Sequence, residues 1–576
     1  MRFRRAVILS LACAAVQVSV RADAPVGLVN KQWSDDELFT AVSDLPMVPS
    51  WKKDNSEEAW YGQNPTYSIL MNGYVALGCR DAATFLDVSD PYSPQIVSTH
   101  FFGERHKALE NDGWGLTTGY GGVYAVAQDT GSLGIWDYTD HTNPVLVGEV
   151  TLPEPIEPSM EPGNKAGYPP GRGFVISTAW QAPYLYSVMR QMGIDIIDMH
   201  DPAQPEVVKR VDVGFGPGNL HIVGNLLCVG KYNGHGIGVF DISDPENPVE
   251  LDAETEGDET KGWQIWVNGN RLYRSGERVY LWDISNPEDI KYVKTFERSE
   301  TCYNTGEGSH GHCSSGGTET QDGFLFFGGS HFGVHKFNVE TGALVGYSGP
   351  FLKPGGSKKE DYYDLDYPSV FGNLVVGSSE DHYQGVFLIP HRKEPDTTPP
   401  EVNMVVPSDN AVNQATTSRV GVTFTDGVDP ASVNDRTFVV RKAGGSALAG
   451  KFSMRRSIVN FSPDQPLEAA ATYEIVVPAG GLTDYMGNAT TQEFVSRFST
   501  GDAVAVAPKP GHSARQPGAT ICLRAVLDGR AANNGRREAS SVYTIRGSAV
   551  PRQTTGNGIV GSGTVAPGIY VVSDSH

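Results

Sequence analysis

An apolar pair followed by aspartate, a short polar turn and proline recurs along the first two thirds of the chain. The copies are Phe85-Leu86-Asp87 running to Pro94, Ile135-Trp136-Asp137 to Pro144, Ile196-Ile197-Asp198 to Pro205, Val239-Phe240-Asp241 to Pro248 and Leu281-Trp282-Asp283 to Pro287. Two weaker copies follow, Lys336-Phe337-Asn338 and Phe387-Leu388-Ile389. Neighbouring anchors stand roughly 42–61 residues apart, the length of one four-stranded propeller blade with variable loops. Seven copies predict an all-β chain with seven blades. Upstream runs such as Tyr74-Val75-Ala76-Leu77 are short and rich in β-branched or aromatic residues, so they read as buried strands. The aspartate reads as a turn former that accepts a hydrogen bond from the backbone amide two residues on, and proline fixes φ where no ladder donor is needed.

Two of these copies, GIGVFDISDPENPVEL (Gly236 to Leu251) and ATFLDVSDPYSPQIV (Ala83 to Val97), resemble the LVIVD-repeat family of bacterial propeller proteins almost position for position. The resemblance covers about residues 65–392. It departs from the pattern in the fifth copy, where Ile290 replaces the second proline, and in the last two, where the aspartate is lost. It implies a seven-bladed β-propeller in a secreted or surface-associated protein, and it carries no single activity.

Arg2, Arg4 and Arg5 precede an apolar stretch from Ala6 to about Val18, then Val20-Arg21-Ala22 before Asp23. Residues 1–22 therefore read as a secretory signal peptide, and a secreted, periplasmic or cell-surface location is expected. The stretch is shorter than the about 20 residues of a membrane span, so no integral membrane segment is expected after cleavage. A formal charge of −22 argues against nucleic acid or anionic membrane as partner, because both need clustered Lys and Arg. Five cysteines follow the leader, Cys79, Cys228, Cys302, Cys313 and Cys522. Cys302 and Cys313 are the natural pair, closing a glycine-rich loop for about 3 kcal/mol of loop entropy, and Cys79 and Cys228 fall inside strand patterns as buried thiols.

Residues 23–64 are long enough to supply a closing strand to the last blade, with Val26-Gly-Leu-Val29 one candidate. Residues 393–400 form a charged, proline-rich linker. From 401 to 501 short alternating strands recur, including Arg419 to Phe424, Arg436 to Val440 and Ala471 to Val477, which predict an antiparallel β-sandwich. The opening DTTPPEV and the closing LTDYMGNATTQEFVSRFST resemble bacterial Ig-like domains of secreted proteins. The resemblance implies a turn at Asp484 to Asn488, Phe498 in the core, and a spacer or adhesion role. Residues 502–576 are rich in Gly, Ser, Arg and Pro and are expected to be poorly ordered.

In a propeller, the loops entering the innermost strands and those joining second to third strands emerge on one face. The histidines concentrate there. Entering loops hold His106, Asp112 and Trp114, then His310 and His312, then Asp361, Asp364 and Asp366; His221 falls early in the fourth inner strand. Second-to-third loops hold His235, His331 and the Asp381-His382 pair. Imidazole and carboxylate ligate zinc, copper, iron or manganese, so His235, His310, His312, His331 and His382 are the candidate ligands for a divalent transition metal. The alternation in Gly306-Glu-Gly-Ser-His310-Gly-His312-Cys313 would turn both rings to one side of an extended stretch. Trp114, Trp180, Trp263 and Trp266 suit sugar stacking or packing between blades. Gly214-Phe-Gly-Pro-Gly218 reads as a turn and not a phosphate loop, since no helix follows.

Two classes of function follow. One is a ligand-binding or adhesive module for a polysaccharide or a surface protein, using the rim of His106, Asp112, Trp114, Arg190, His221, Asp361 and Tyr383. The other is a secreted enzyme, either a metal-dependent oxidase or hydrolase, or a lyase in which a rim histidine with Tyr232, Tyr362, Tyr363 or Tyr383 takes a proton and Arg190 or Lys231 neutralises the acid.

Overall fold

The computed structural model describes residues 27–44, 68–78, 82–102, 118–119, 124–128, 132–153, 175–189, 193–233, 236–254, 264–276, 278–297, 317–329, 333–349, 351–352, 363, 365–379 and 386–502. The signal peptide, the Cys302–Cys313 pair and the tail beyond 502 lie outside them. The described chain is all-β, and its one helix is the single 3-10 turn Pro430–Ser432. No helix among the described residues is long and apolar enough to cross a membrane.

Small antiparallel sheets follow one another along the chain. The first joins Ser68–Met71, Tyr74–Gly78, Ala82–Asp87 and Gln95–Phe101 in sequence order. The same four-strand order recurs over residues 118–151, 175–211, 216–254, 265–296 and 318–347. In the sheet over 365–390 only three strands are consecutive, and the outer fourth is Ser43–Asp44, pairing antiparallel with Leu388 and Phe387. Leu28 and Val29 do not form that strand; they pack instead into the apolar cluster beneath it.

The repeated apolar pair sits on each third strand, and both of its side chains are buried in most copies, Trp136 being half-buried, because neighbouring sheets cover both faces. Ile196 and Ile197 have no exposed surface, and Phe85 and Leu86 are the same. Each such side chain contributes roughly 1.5–3 kcal/mol relative to an exposed one. Apolar clusters join each sheet to the next, and Phe371, Leu374, Val376 and Leu388 pack against Leu70, Val75, Leu77 and Leu86, joining the sheet over 365–390 back to the first. The fourth strands are exposed or half-buried, as in Glu206–Val211.

The aspartates do the local work expected of them. Asp87 Oδ1 accepts the Ser89 amide at 2.9 Å, Asp198 the His200 amide at 2.8 Å, Asp241 the Ser243 amide at 2.7 Å and Asp283 the Ser285 amide at 2.8 Å. A second acid three residues on repeats the bond, Asp244 Oδ1 accepting from Glu246 at 3.2 Å. Where Asn338 replaces aspartate, its Oδ1 accepts the Thr341 amide at 2.9 Å, one residue further on.

Beyond residue 400 two further sheets share one core. One contains Val402–Val406, Val420–Phe424, Ile458–Pro463 and Gly450–Arg455; the other contains Ala411–Gln414, Phe494–Thr500, Thr472–Val477 and Val439–Lys442. Val422, Val459 and Phe461 from the first meet Val440, Ile475 and Phe498 from the second. The first also continues into the sheet over 118–151 through a bridge between Ser453 and Gly119. The linker at 393–400 is not a free hinge. The Trp33 amide donates to Lys393 O at 2.8 Å, Asn30 exchanges two hydrogen bonds with the Asp396 backbone, and the Asp396 side chain is buried. Residues through Ala507 accordingly form one compact unit.

Candidate functional site

Among the described residues the first strands end in tight turns to the second, and several of these turns meet the Ig-like unit. The Gly224 amide donates to Asn460 Oδ1 at 2.8 Å, the Gly269 amide to Thr423 Oγ1 at 3.0 Å, and the Asp322 amide to Thr425 O at 3.1 Å. The approach is backbone against backbone: a Cβ on Gly421 would lie 1.9 Å from the Gly224 nitrogen. Only glycine fits there.

A hairpin of the Ig-like unit, Gly450–Arg455 turning into Ile458–Pro463, enters among the first strands themselves. Ser453 Oγ donates to Trp180 O at 3.3 Å, Arg455 Nη1 to Leu220 O at 2.7 Å, and Asn460 Nδ2 to Ile222 O at 3.0 Å. At its tip Arg456, in the left-handed region with φ 54°, donates Nη1 to Glu319 Oε1 at 2.7 Å and Nη2 to Ser68 O, and its guanidinium lies 5.3 Å from the Phe371 ring centre. First strands as far apart in sequence as Ser68 and Phe371 thus converge on one side chain.

Arg456 and Glu319 are 2% and 5% exposed, so this ion pair is out of reach of water. Burial pushes the Glu319 carboxyl up to about 7, and the Arg456 charge with the Val370 amide, which donates to Oε2 at 3.1 Å, limits the rise. Around it the first strands are polar: Ser68, Asn219, His221, Gln264, Thr318 and Thr320 are all buried.

Most of the expected site residues, His106, Asp112, Trp114, Arg190, His235, His310, His312, His331, Asp361, His382 and Tyr383, lie outside the described residues, as do Trp263, Tyr362 and Asp381. His221 is the exception, and it is not on a rim. It stands near the turn end of Gly216–Val223, fully buried with its ring 5.2 Å from that of Trp266. Burial and then the nearby Arg455 push its pKa well below the ordinary value. Trp266 is itself buried and donates Nε1 to Thr320 Oγ1 at 2.9 Å, and Trp180 packs with Leu133 and Ile135 of the preceding sheet, so both serve packing and neither is presented to a sugar. Lys231 is 9% exposed and lies over the Phe215 ring, with burial lowering its pKa. The Gly214 to Gly218 segment is a turn only at Gly214, since Gly216 already begins a strand.

These features define a class: a β-propeller repeat protein with a bacterial Ig-like domain packed on the turn end of its sheets. Matches to sequence models of known families place the parts. The chain carries the LVIVD repeat over residues 218–253 and a bacterial Ig-like domain over residues 396–500. Among solved structures it is similar to the computationally designed protein Ika8, at 12% identity and a TM-score of 0.37, covering 61% of this chain and 100% of that one. It is also similar to the β-propeller domain of Cps50 (Swd1) from Myceliophteria thermophila, at 12% identity and a TM-score of 0.40, covering 57% of this chain and 97% of that one. No curated protein matches.

Proposed function

We propose that the chain is an exported ligand-binding module: a closed propeller of seven blades whose loop-bearing end takes a polysaccharide or a surface protein, with the Ig-like sandwich fixed to the opposite end. The observation that carries this reading is the docked hairpin. First strands run from the segments that hold His106, His310, His312 and Asp361 toward the turns that meet the Ig-like unit, and Arg456 fills the space between those strands at the turn end. Ligand access is therefore left to the other end, where sequence had gathered the aromatic, basic and imidazole side chains. The Ig-like domain fits an extracellular or surface setting. The same reading keeps His235, His310, His312, His331 and His382 as ligands for a transition metal.

The test is a glycan array and a surface-protein capture with the mature chain, repeated with Trp114→Ala, Arg190→Ala and Tyr383→Ala. Binding lost at least tenfold with unchanged thermal stability supports the reading. Absence of any ligand, or binding untouched by all three changes, overturns it. Metal content by mass spectrometry, before and after His310→Ala and His312→Ala, decides the histidine set separately.

A further inference from the structure

Three segments remote in sequence bring three carboxylates together. Asp322 comes from a first-to-second turn, Asp396 from the linker and Asp426 from the Ig-like unit, and each offers an oxygen within 4.8 Å of the others. Asp396 and Asp426 are 1% and 2% exposed, and the Asp322 side chain is 11% exposed. Arg392 bonds two of them, reaching Asp322 Oδ2 at 3.2 Å and Asp396 Oδ1 at 2.7 Å. Asp396 Oδ2 accepts from Gln321 Nε2 at 3.1 Å, and Asp426 Oδ1 from the Gly427 amide at 2.5 Å.

Two oxygens stand apart from this pattern. Asp426 Oδ2 is buried without a hydrogen-bond partner, and so is Oε1 of Gln321, a residue 3% exposed whose amide nitrogen already bonds Asp396. The nearby Asp484 differs, because its own turn uses both of its oxygens: Oδ1 accepts the Met486 and Asn488 amides and Oδ2 the Asn488 side chain, each at 2.8 Å. Arg392 is the cation bonded to these acids, Lys336 acts on Asp322 from further off, and Asp484 adds a fourth acid beside Asp426, so acids outnumber bases in a place nearly closed to water, where a bare buried carboxylate is strongly disfavoured. A divalent cation would balance that excess of acid. The donor atoms are all oxygen, which selects a hard ion, and calcium, with bonds of about 2.3–2.6 Å, spans oxygen separations of this size.

We propose that Asp322, Asp396 and Asp426 form a calcium-class cation site that fastens the Ig-like unit and the linker to the propeller turn. The site is distinct from the histidine set, which offers nitrogen donors from other segments.

The test uses the full chain stripped with a chelator and titrated with calcium chloride by calorimetry, alongside thermal melts with and without the ion. One calcium per chain and a raised melting temperature are expected. Asp426→Asn and Asp322→Asn, each of which keeps the side-chain shape, should each weaken binding at least tenfold, and His310→Ala with His312→Ala should leave it unchanged. Both carboxamide variants are checked for folding by circular dichroism; Asp322→Asn, at the more exposed position, serves if the other fails. No heat and no melting shift with calcium overturns the proposal, as does binding that survives both carboxamide changes or vanishes with the histidines. A melt that responds to acidification and not to calcium also overturns it, since a proton would then neutralise Asp426.

Discussion

Replacing Arg456 by methionine tests the central contact of the structure. The change keeps the bulk of the side-chain stem against Phe371 but removes the donors to Glu319 Oε1 and Ser68 O. Breaking a buried pair from one side costs about 3–5 kcal/mol, because the remaining carboxylate stays buried without its partner. Arg456→Met should therefore lower stability by that amount, read from urea unfolding and from hydrogen exchange at the Val370 amide, which donates to the same carboxylate. Arg456→Met combined with Glu319→Gln should recover at least about 1.5 kcal/mol, since the orphaned charge goes with its partner. A single variant within about 0.5 kcal/mol of the native chain, or strictly additive changes, would refute the reasoning. The pH dependence gives a second reading. Glu319 titrates at about 7 when folded, above its ordinary value of 4.5, so the folded chain holds this proton more tightly. Its contribution to stability is complete below about 4.5 and lost as pH rises through about 7, and at about 1.36 kcal/mol per unit it comes to about 3 kcal/mol. Asp484, also raised to about 7 by burial, slopes the same way. His221 and His391, held low by burial, slope oppositely and lose stability as pH falls below 6.5. The difference between the native chain and Glu319→Gln isolates the first effect.

Gly421→Ala should displace the Ig-like unit, because the new Cβ meets the Gly224 nitrogen at 1.9 Å and the Val223 carbonyl carbon at 2.5 Å, both backbone atoms that cannot step aside. The expected loss is several kcal/mol, with protease cleavage appearing at 393–400; a melting temperature within about 1 °C of native would contradict the close approach. Asp241→Ala removes one acceptor from a half-buried turn and should cost about 1 kcal/mol in urea unfolding, far less than the Arg456 change; a loss above about 3 kcal/mol would mean that Asp241 does more than cap its turn.

The repeat was legible because it is local. An apolar pair followed by Asp and Pro encodes its own strand, burial and turn within a dozen residues, and Asp87, Asp198, Asp241 and Asp283 each make the bond that their place in the phrase predicts. Strand alternation could not say where along a strand a side chain falls relative to the ends, so His221, read as an early and accessible residue, stands near the covered end. Arg455 and Arg456 belong to no motif that singles them out in the sequence. Their partners are Leu220, Glu319 and Ser68, as much as 388 residues away, and no local pattern marks such a pairing. Asp396 misled in the same way: a charged, proline-rich segment resembles a loose linker until the carboxylate is found buried against Arg392 and Gln321.

These misreadings share a cause and change the role of the second domain. A spacer touches its neighbour through few contacts, and its loss leaves that neighbour's core intact. Here Ile458 belongs to the apolar cluster between the sheets over 216–254 and 265–296, and Tyr485 and Met486 belong to the one between the last sheet and the first. Glu319 is neutralised by an arginine of the Ig-like unit, and the Asn225 and Asn268 side chains bond its backbone at Arg419 and Phe424. The sheets therefore complete their core and their charge balance with residues from beyond the linker. The Ig-like domain is a structural cap on the turn end of the sheets, and it takes part in what holds those sheets together.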